Sequence, residues 1–200
     1  MKQTVKMLNN FFAEFYGGKL SFLRAVYYAG QAKFGVFDIY KNINWSKISR
    51  LVFVCKGNIC RSAYAQYKSI SLGGSAASAG LAADGKPADA TAQRVANQRQ
   101  VNLQNHHSQS IQEITISSGD LLIAFEPIHA EYLSALVHDR TDVQVTLVGL
   151  WGIRPFWVYM HDPYGMSDAY FNNCFKRIDK SINYILNQLS INSSMAIING

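Results

Sequence analysis

The sequence predicts an α/β domain with a parallel sheet, preceded by a segment of different composition. Beyond residue 50, short apolar runs of strand length alternate with segments of helical period, as in successive βαβ units. A chain of 200 residues is long enough for one domain with a hydrophobic core and some additional chain. Hydrophobic residues make up 48% of the chain and charged residues 16%, which excludes global disorder.

The candidate strands are short apolar runs. Residues 51–54 and 121–125 predict two buried strands, and residues 143–148 predict a third. Residues 75–79, which follow a Gly-Gly turn, are a weaker fourth candidate. A helix is expected from Ser62 onward, and Pro127 is expected to open another helix, because proline is favoured in a first helical turn.

The last helix is predicted by a single apolar stripe, and Ser167 or Asp168 can cap its start. The stripe steps by four, three, four, three and four residues and consists of Phe171, Phe175, Ile178, Ile182, Ile185 and Leu189. Residues 191–200 show no period and predict a loose tail. The predicted divisions are therefore an extension over 1–50, a domain over 51–190 and a tail.

The excess positive charge lies entirely in the extension. Residues 1–50 hold 8 Lys and Arg against 2 Asp and Glu, whereas residues 51–200 hold 11 of each kind. This distribution argues against a nucleic-acid partner for the domain. The extension also holds 11 of the 25 aromatic residues and predicts two basic amphipathic helices on either side of Gly17-Gly18. Such helices can bind peripherally to an anionic membrane or to a partner, or pack on their own domain, and the third alternative is a disordered extension.

The cysteines and the hydropathy pattern predict a cytoplasmic protein. Cys55, Cys60 and Cys174 are too few, and odd in number, for a secreted disulfide framework. No apolar run is long enough to span a bilayer, and polar residues interrupt every apolar stretch near the N-terminus. A zinc site on Cys55 and Cys60 lacks a second ligand pair nearby, so no metal is expected. Cys174 is expected in the core.

Residues 51–62, LVFVCKGNICRS, are expected to carry the chemistry. A strand enters a loop that starts at Cys55 and ends at Arg61, and a helix follows. Such a loop directs backbone N–H groups and the positive end of the helix dipole at one point. This arrangement binds a tetrahedral oxyanion.

The same electrostatic field stabilises a thiolate, so Cys55 is expected to be an ionised nucleophile. Arg61 supplies a planar, permanently charged group for two phosphoryl oxygens. Gly57 would permit a close backbone approach, and Asn58 tolerates a left-handed conformation. Ser62 can donate its hydroxyl to the cysteine sulfur.

Transfer of a phosphoryl group from an aryl ester also needs a proton for the leaving oxygen. In residues 161–165, HDPYG, Asp162 precedes a proline that stiffens the backbone, and Tyr164 can flank an aromatic substrate. A carboxyl group that faces a bound phosphate dianion retains its proton more readily, so Asp162 can act as an acid and then as a base. His161 could tune this acid or have a structural role.

The string V-C-x-G-N-x-C-R-S with a late D-P-Y resembles the low-molecular-weight protein tyrosine phosphatases over roughly residues 51–190. The resemblance implies a four-stranded parallel sheet with helices on both faces, a phosphocysteine on Cys55 and Asp162 as general acid. It implies no metal or organic cofactor, and it implies that Cys60 can form a disulfide with Cys55. The implied phosphate-binding residues are Lys56, Gly57, Asn58, Ile59, Cys60 and Arg61. Bacterial members are often paired with tyrosine kinases of polysaccharide export, which implies a phosphotyrosine protein as partner.

Some positions depart from the family pattern. Ala63 replaces a common proline, Gly165 replaces a second aromatic residue, and residues 81–84 offer no aromatic wall. Lys56 either favours acidic sequences around the phosphotyrosine or faces water. His106 and His107 lie in a polar stretch and are expected at the surface.

Two alternative functions are compatible with the loop. An arsenate reductase has the same fold but needs an additional redox cysteine pair, whereas only Cys174 lies outside the loop here. A non-catalytic phosphate-binding or redox-sensing module would need neither a nucleophile nor an acid. The trio of Cys55, Arg61 and Asp162 therefore favours a phosphatase.

Overall fold

The computed structural model describes residues 2–152 and 157–198 and contains one sheet of four parallel strands. The strands are β1 (Arg50–Cys55), β2 (Ala76–Gly80), β3 (Asp120–Ala124) and β4 (Gln144–Leu147). They are arranged in the order β2-β1-β3-β4, so β1 and β3 occupy the centre. The predicted α/β class with a parallel sheet is confirmed.

Six helices lie in the described part of the chain and flank both faces of the sheet. Of these, α3 packs on β1 and β2, α5 packs on β3 and β4, and α6 packs on α3 and α4. Short 3-10 turns occur at Asp38–Lys41, Trp45–Lys47 and Val148–Leu150. The helices are α1 (Lys2–Tyr16), α2 (Lys19–Lys33), α3 (Arg61–Ser71), α4 (Ala90–Gln98), α5 (Pro127–Leu136) and α6 (Asp168–Ile198).

The core lies between the central strands and the helices. Every residue of β3 is buried, as is every residue of β1 after Arg50. Strands buried on both faces explain the continuous apolar runs of the sequence. The predicted stripe of α6 is buried from Phe171 to Ile185, and its last member, Leu189, packs at the core margin.

The predicted strands match the structure to within about two residues, but one helix was not predicted. The helix α4 buries only Ala92, Val95 and Ala96, so its apolar face is too small to give a strong periodic pattern. Its start is fixed locally, because the Asp89 side chain accepts a hydrogen bond from the Ala92 N–H at 2.9 Å.

The prediction of a loose tail is wrong for residues 191–198. The helix α6 continues to Ile198. Once a helix is nucleated by a packed segment, each further residue adds a backbone hydrogen bond at little additional cost. Continuation of a helix therefore does not require an apolar stripe.

The extension packs on the domain through α6. The Asn173 side-chain amide donates to the Glu14 carbonyl at 2.8 Å, and Arg177 donates to the Phe15 carbonyl at 2.7 Å. These bonds satisfy carbonyls in the last turn of α1, which have no partner within that helix. Of the three roles left open by the sequence, the structure therefore shows packing on the domain.

The chain between α2 and β1 lies along the edge strand β4. The Thr146 hydroxyl donates to the Tyr40 carbonyl at 2.6 Å, and the Asn44 N–H donates to the Gln144 side chain at 2.7 Å. This segment thereby covers a strand edge that would otherwise be open. Within the described residues, no helix is long and apolar enough to cross a bilayer.

Candidate active site

The site lies at the carboxyl edge of the sheet, where the strand order reverses. From β1 the chain crosses to β2 on one side, whereas β3 lies on the other side. Loops that leave two adjacent strands in opposite directions form a crevice, which is the usual ligand position in open α/β sheets. Cys55 ends β1 at this crevice, and Glu126 follows β3 beside it.

The Cys55 thiol is buried within its loop and contacts two hydrogen-bonding groups. Its Sγ lies 3.0 Å from the Ser62 hydroxyl and accepts the Asn58 N–H at 3.3 Å. The Asn58 side-chain amide donates to the Ser62 Oγ at 2.9 Å, so the Ser62 proton can point at the sulfur, which is closer to Oγ than the Ala79 carbonyl at 3.5 Å. Both groups stabilise negative charge on Sγ.

The left-handed conformation predicted for Asn58 is present, with φ of 55°. Its side chain holds the loop to the neighbouring elements: the amide donates to Ser78 Oγ at 2.8 Å, and the side-chain oxygen accepts the Gln109 N–H at 3.0 Å. Glycine would fit this backbone but could not make these bonds. Asn58 therefore fixes the loop shape through its side chain as well as its backbone.

The close backbone approach expected at Gly57 occurs instead at Gly80, on the end of β2 behind the loop. A Cβ on Gly80 would lie 2.9 Å from the Lys56 carbonyl oxygen, whereas one on Gly57 would meet the Ile59 side chain at an ordinary 3.6 Å. The end of β2 thus supports the loop from behind. The Leu81 N–H also donates to the Cys55 carbonyl at 3.0 Å.

His106 is buried, so the prediction of a surface residue is wrong for it. Its Nε2 donates to the Asn58 carbonyl at 2.6 Å, and its ring meets Tyr67 edge to face. Burial lowers the pKa of His106 below the ordinary value, which favours a neutral ring. The polar sequence around His106 gave no signal that its ring supports the loop. His107 is exposed, as expected.

Arg61, the first residue of α3, is fully buried beside the cysteine. One Nη donates to the Met160 carbonyl at 2.5 Å and to the Glu126 carboxylate at 2.7 Å. The other Nη lies 3.1 Å from an Asp162 oxygen. The contact with Asp162 is an ion pair without hydrogen-bond geometry, and neither this Nη nor Nε donates a hydrogen bond within the described residues. Two buried donors are thus left for an anionic ligand.

Glu126 was missed by the sequence analysis. It lies between β3 and the first residue of α5, and its side chain is largely buried against Arg61. An acidic residue directly after a buried strand lies at the carboxyl edge of a parallel sheet, and this position was a usable signal. Glu126 orients the guanidinium and partly offsets its burial.

Asp162 and Tyr164 lie at the mouth of a cleft of about 200 Å³ that contains the cysteine. Tyr164 is 62% exposed, and the Asp162 side chain is 37% exposed, so both can meet a ligand from solvent. Ala82 occupies part of the wall, as expected from the lack of an aromatic residue there. The cleft is lined by Cys55, Lys56, Gly57, Ile59, Cys60, Ala82, Asp162 and Tyr164.

The other two cysteines are buried and reduced. Cys60 lines the cleft, and burial raises the pKa of its thiol well above the ordinary range. Cys174 is fully buried, and burial raises the pKa of its thiol to about 12. In the part of the chain that the structure covers, no three His, Cys, Asp or Glu side chains are grouped to hold a metal ion.

Comparison with known proteins identifies relatives over most of the chain. The family model for low molecular weight phosphotyrosine protein phosphatase matches residues 50–195. The probable phosphatase AmsI of Erwinia amylovora is 31% identical over 146 residues, which are 72% of this chain and 99% of that protein. The phosphatase Wzb of Salmonella typhi is 30% identical over 66% of this chain and 89% of its own length.

Solved structures agree in fold. The crystal structure of Erwinia amylovora AmsI matches with a TM-score of 0.60 and 28% identity, over 72% of this chain and 94% of that one. Vibrio vulnificus Wzb in complex with benzylphosphonate matches with a TM-score of 0.56 and 31% identity, over 68% and 95%. The chain is therefore a member of the low-molecular-weight protein tyrosine phosphatase family.

Proposed function

We propose that the protein hydrolyses phosphotyrosine in proteins through a covalent phosphocysteine on Cys55. The Cys55 thiolate attacks phosphorus, the bond from phosphorus to the tyrosyl oxygen breaks, and Asp162 gives its proton to that oxygen. Asp162 then takes a proton from a water molecule as the water attacks the phosphocysteine. Inorganic phosphate leaves, and the thiolate is restored.

The observation that carries this proposal is the set of groups gathered around one buried sulfur. Ser62 and the Asn58 N–H stabilise charge on Sγ, and two free donors of Arg61 are available for phosphoryl oxygens. Asp162 lies within 3.1 Å of the same guanidinium, at the open side of the cleft. Preorganised donors around a developing charge are usually the largest contribution to such catalysis.

The ligands of two relatives support the same assignment. Vibrio vulnificus Wzb, at 31% identity, was solved with benzylphosphonate, which combines an aromatic ring and a tetrahedral oxyanion. Escherichia coli K30 Wzb, at 26% identity, was solved with sulphate, another tetrahedral oxyanion. We infer that the cleft of this chain accepts the same combination, with the ring beside Tyr164.

We expect Asp162→Asn to lower kcat/KM on phenyl phosphate by about a hundredfold, because phenolate is a poor leaving group without a proton. The loss on 2,4-dinitrophenyl phosphate should be small, since that leaving group needs no acid. Steady-state kinetics on both esters measure the difference. The matched control is Asp168→Asn, which removes an exposed carboxylate paired with Arg94 and should leave both esters unaffected. An equal loss on the two esters would exclude Asp162 as the acid.

Arsenate reduction has less support from the structure. A relay would need a cysteine that can reach the loop, and the one cysteine outside the loop, Cys174, is fully buried on the inner face of α6. A non-catalytic binding module would not require Asp162 at the cleft. Hydrolysis accounts for all three of Cys55, Arg61 and Asp162.

The partner we propose is a phosphorylated bacterial tyrosine kinase at the cytoplasmic face of the membrane. The extension supports this location, since it carries the whole positive excess and an exposed apolar face. Phosphatidylglycerol headgroups are complementary to this charge. The exposed apolar side chains are Val5, Met7, Leu8, Phe11 and Phe15 on α1, and Leu20, Leu23, Val26 and Tyr27 on α2.

We expect Leu8→Asp to lower co-sedimentation with phosphatidylglycerol vesicles severalfold, because a carboxylate must then enter the apolar interface. Leu8 is 55% exposed, so the substitution should not disturb folding. Ile70→Asp on α3, at 48% exposure, is the matched control and should sediment like the wild type. If the wild type does not bind these vesicles, or if both variants bind equally well, the exposed face has another partner or none.

A further inference from the structure

The extension packs directly on the segment that carries the proposed general acid. Residues 157–162 lead to and include Asp162, and the Met160 carbonyl among them accepts a hydrogen bond from Arg61. The N–H of Met160 donates to the Phe125 carbonyl at 3.1 Å, which joins this segment to the end of β3. On its other side, the segment meets α1, α2 and the turn between them.

The turn between α1 and α2 packs against His161, the residue directly before Asp162. Gly17 has φ of 77°, and a Cβ at this position would lie 2.4 Å from a carbon of the His161 ring. The other side of His161 is fixed by Tyr170, whose hydroxyl donates to the His161 carbonyl at 3.0 Å. His161 is therefore held between the extension and α6.

The helix α2 makes a second contact through Tyr159. The rings of Tyr28 and Tyr159 are stacked at 5.5 Å with an interplanar angle of 22°. The Tyr159 hydroxyl lies 3.1 Å from Nδ1 of His161 and also accepts the Arg24 guanidinium at 3.5 Å. A chain of contacts thus runs from Tyr28 through Tyr159 and His161 to the residue that bears the acid.

These contacts are additional to those of the catalytic domain in its relatives. Erwinia amylovora AmsI is matched over 99% of its length by 146 residues of this chain, so it has no counterpart of the extension. Here Tyr159 is 5% exposed, and the extension supplies the stacked ring against it. In this chain, the acid segment therefore has contacts with the extension in addition to those within the domain.

We propose that Tyr28 is a positioning residue, through which the extension holds Tyr159 and His161 and thereby places Asp162 over the leaving oxygen. This inference rests on the proposed function, since it assigns to the extension a role in the acid step. A misplaced acid slows the reactions that need a proton and leaves the others unchanged. A merely structural role would affect all substrates alike.

The test compares Tyr28→Ala with Phe34→Ala, which removes another ring of the extension that is 85% exposed. In the full-length protein, we expect Tyr28→Ala to lower kcat/KM about tenfold on phenyl phosphate and less than twofold on 2,4-dinitrophenyl phosphate. Phe34→Ala should match the wild type on both esters. In the Asp162→Asn background, Tyr28→Ala should cause no further loss, because its effect acts through the absent acid.

The proposal is overturned if Tyr28→Ala lowers kcat/KM equally on both esters or has no effect on either. It is also overturned if the full loss persists in the Asp162→Asn background. The midpoint of thermal unfolding of each variant shows whether an equal loss of kcat/KM on both esters comes from an unstable domain. An unstable domain would also contradict a positioning role for Tyr28. If Asp162→Asn lowers kcat/KM equally on both esters, Asp162 is not the general acid, and the proposed function is wrong in this respect whatever Tyr28→Ala does. The two failures are therefore distinguishable.

Discussion

Replacement of Cys55 by serine is expected to reduce phosphatase activity by at least about a thousandfold. The oxygen of serine fits the same space and keeps the contacts to Ser62 and the Asn58 N–H. A serine hydroxyl remains protonated in this site, since no general base lies beside it in the described loop. Release of phosphate from an aryl ester measures the loss.

Two further measurements separate loss of the nucleophile from loss of the fold. Cys55→Ser should still bind sulphate, measured as a rise in the midpoint of thermal unfolding with sulphate concentration. Cys174→Ala, which removes a thiol from the buried face of α6, should retain the activity of the wild type at temperatures well below unfolding. Substantial turnover by the serine variant would contradict a covalent mechanism on Cys55.

Arg61→Lys is expected to lower kcat/KM by about a thousandfold, although the positive charge is kept. The guanidinium binds Glu126 and the Met160 carbonyl at one end and leaves two donors at the other. A lysine ammonium is a single point charge and cannot bind Glu126 and the phosphoryl oxygens at the same time. If it pairs with Glu126, the phosphoryl oxygens lose two charge-assisted hydrogen bonds in the transition state.

The control for this substitution is Arg94→Lys. Arg94 makes a bidentate pair with Asp168, but both side chains are about half exposed and lie outside the cleft. Exposed pairs contribute little to stability, so this variant should keep full activity. If kcat/KM of Arg61→Lys were within tenfold of the wild type, positive charge alone would suffice, and the planar guanidinium with its several donors would not be required.

Part of the fold was predictable because its signals are local. The buried strands β1 and β3 are continuous apolar runs, and the stripe of α6 repeats at helical spacing. By contrast, α4 has a face of small residues, and the end of α6 depends on cooperative helix growth rather than on a pattern. These two elements therefore carried no sequence signal strong enough for prediction.

The reactive loop was also predictable, because Cys55, Asn58, Arg61 and Ser62 lie within eight consecutive residues and act through one strand, one turn and one helix start. Asp162 could be predicted as the candidate acid because Pro163 and Tyr164 follow it. Their assembly at one cleft depends on the sheet order, which puts the ends of β1 and β3 side by side.

By itself, the sequence determined the fold class, the strand-loop-helix segment that carries Cys55 and Arg61, and the basic, aromatic character of the extension. Only the tertiary structure decided that Glu126 and His106 support the loop, and that Tyr28 and Gly17 pack against the acid segment. These partners are separated from the residues they contact by 48 to more than 130 positions. No periodic pattern spans such distances, because these contacts form only when separate elements are brought together by burial of their apolar faces.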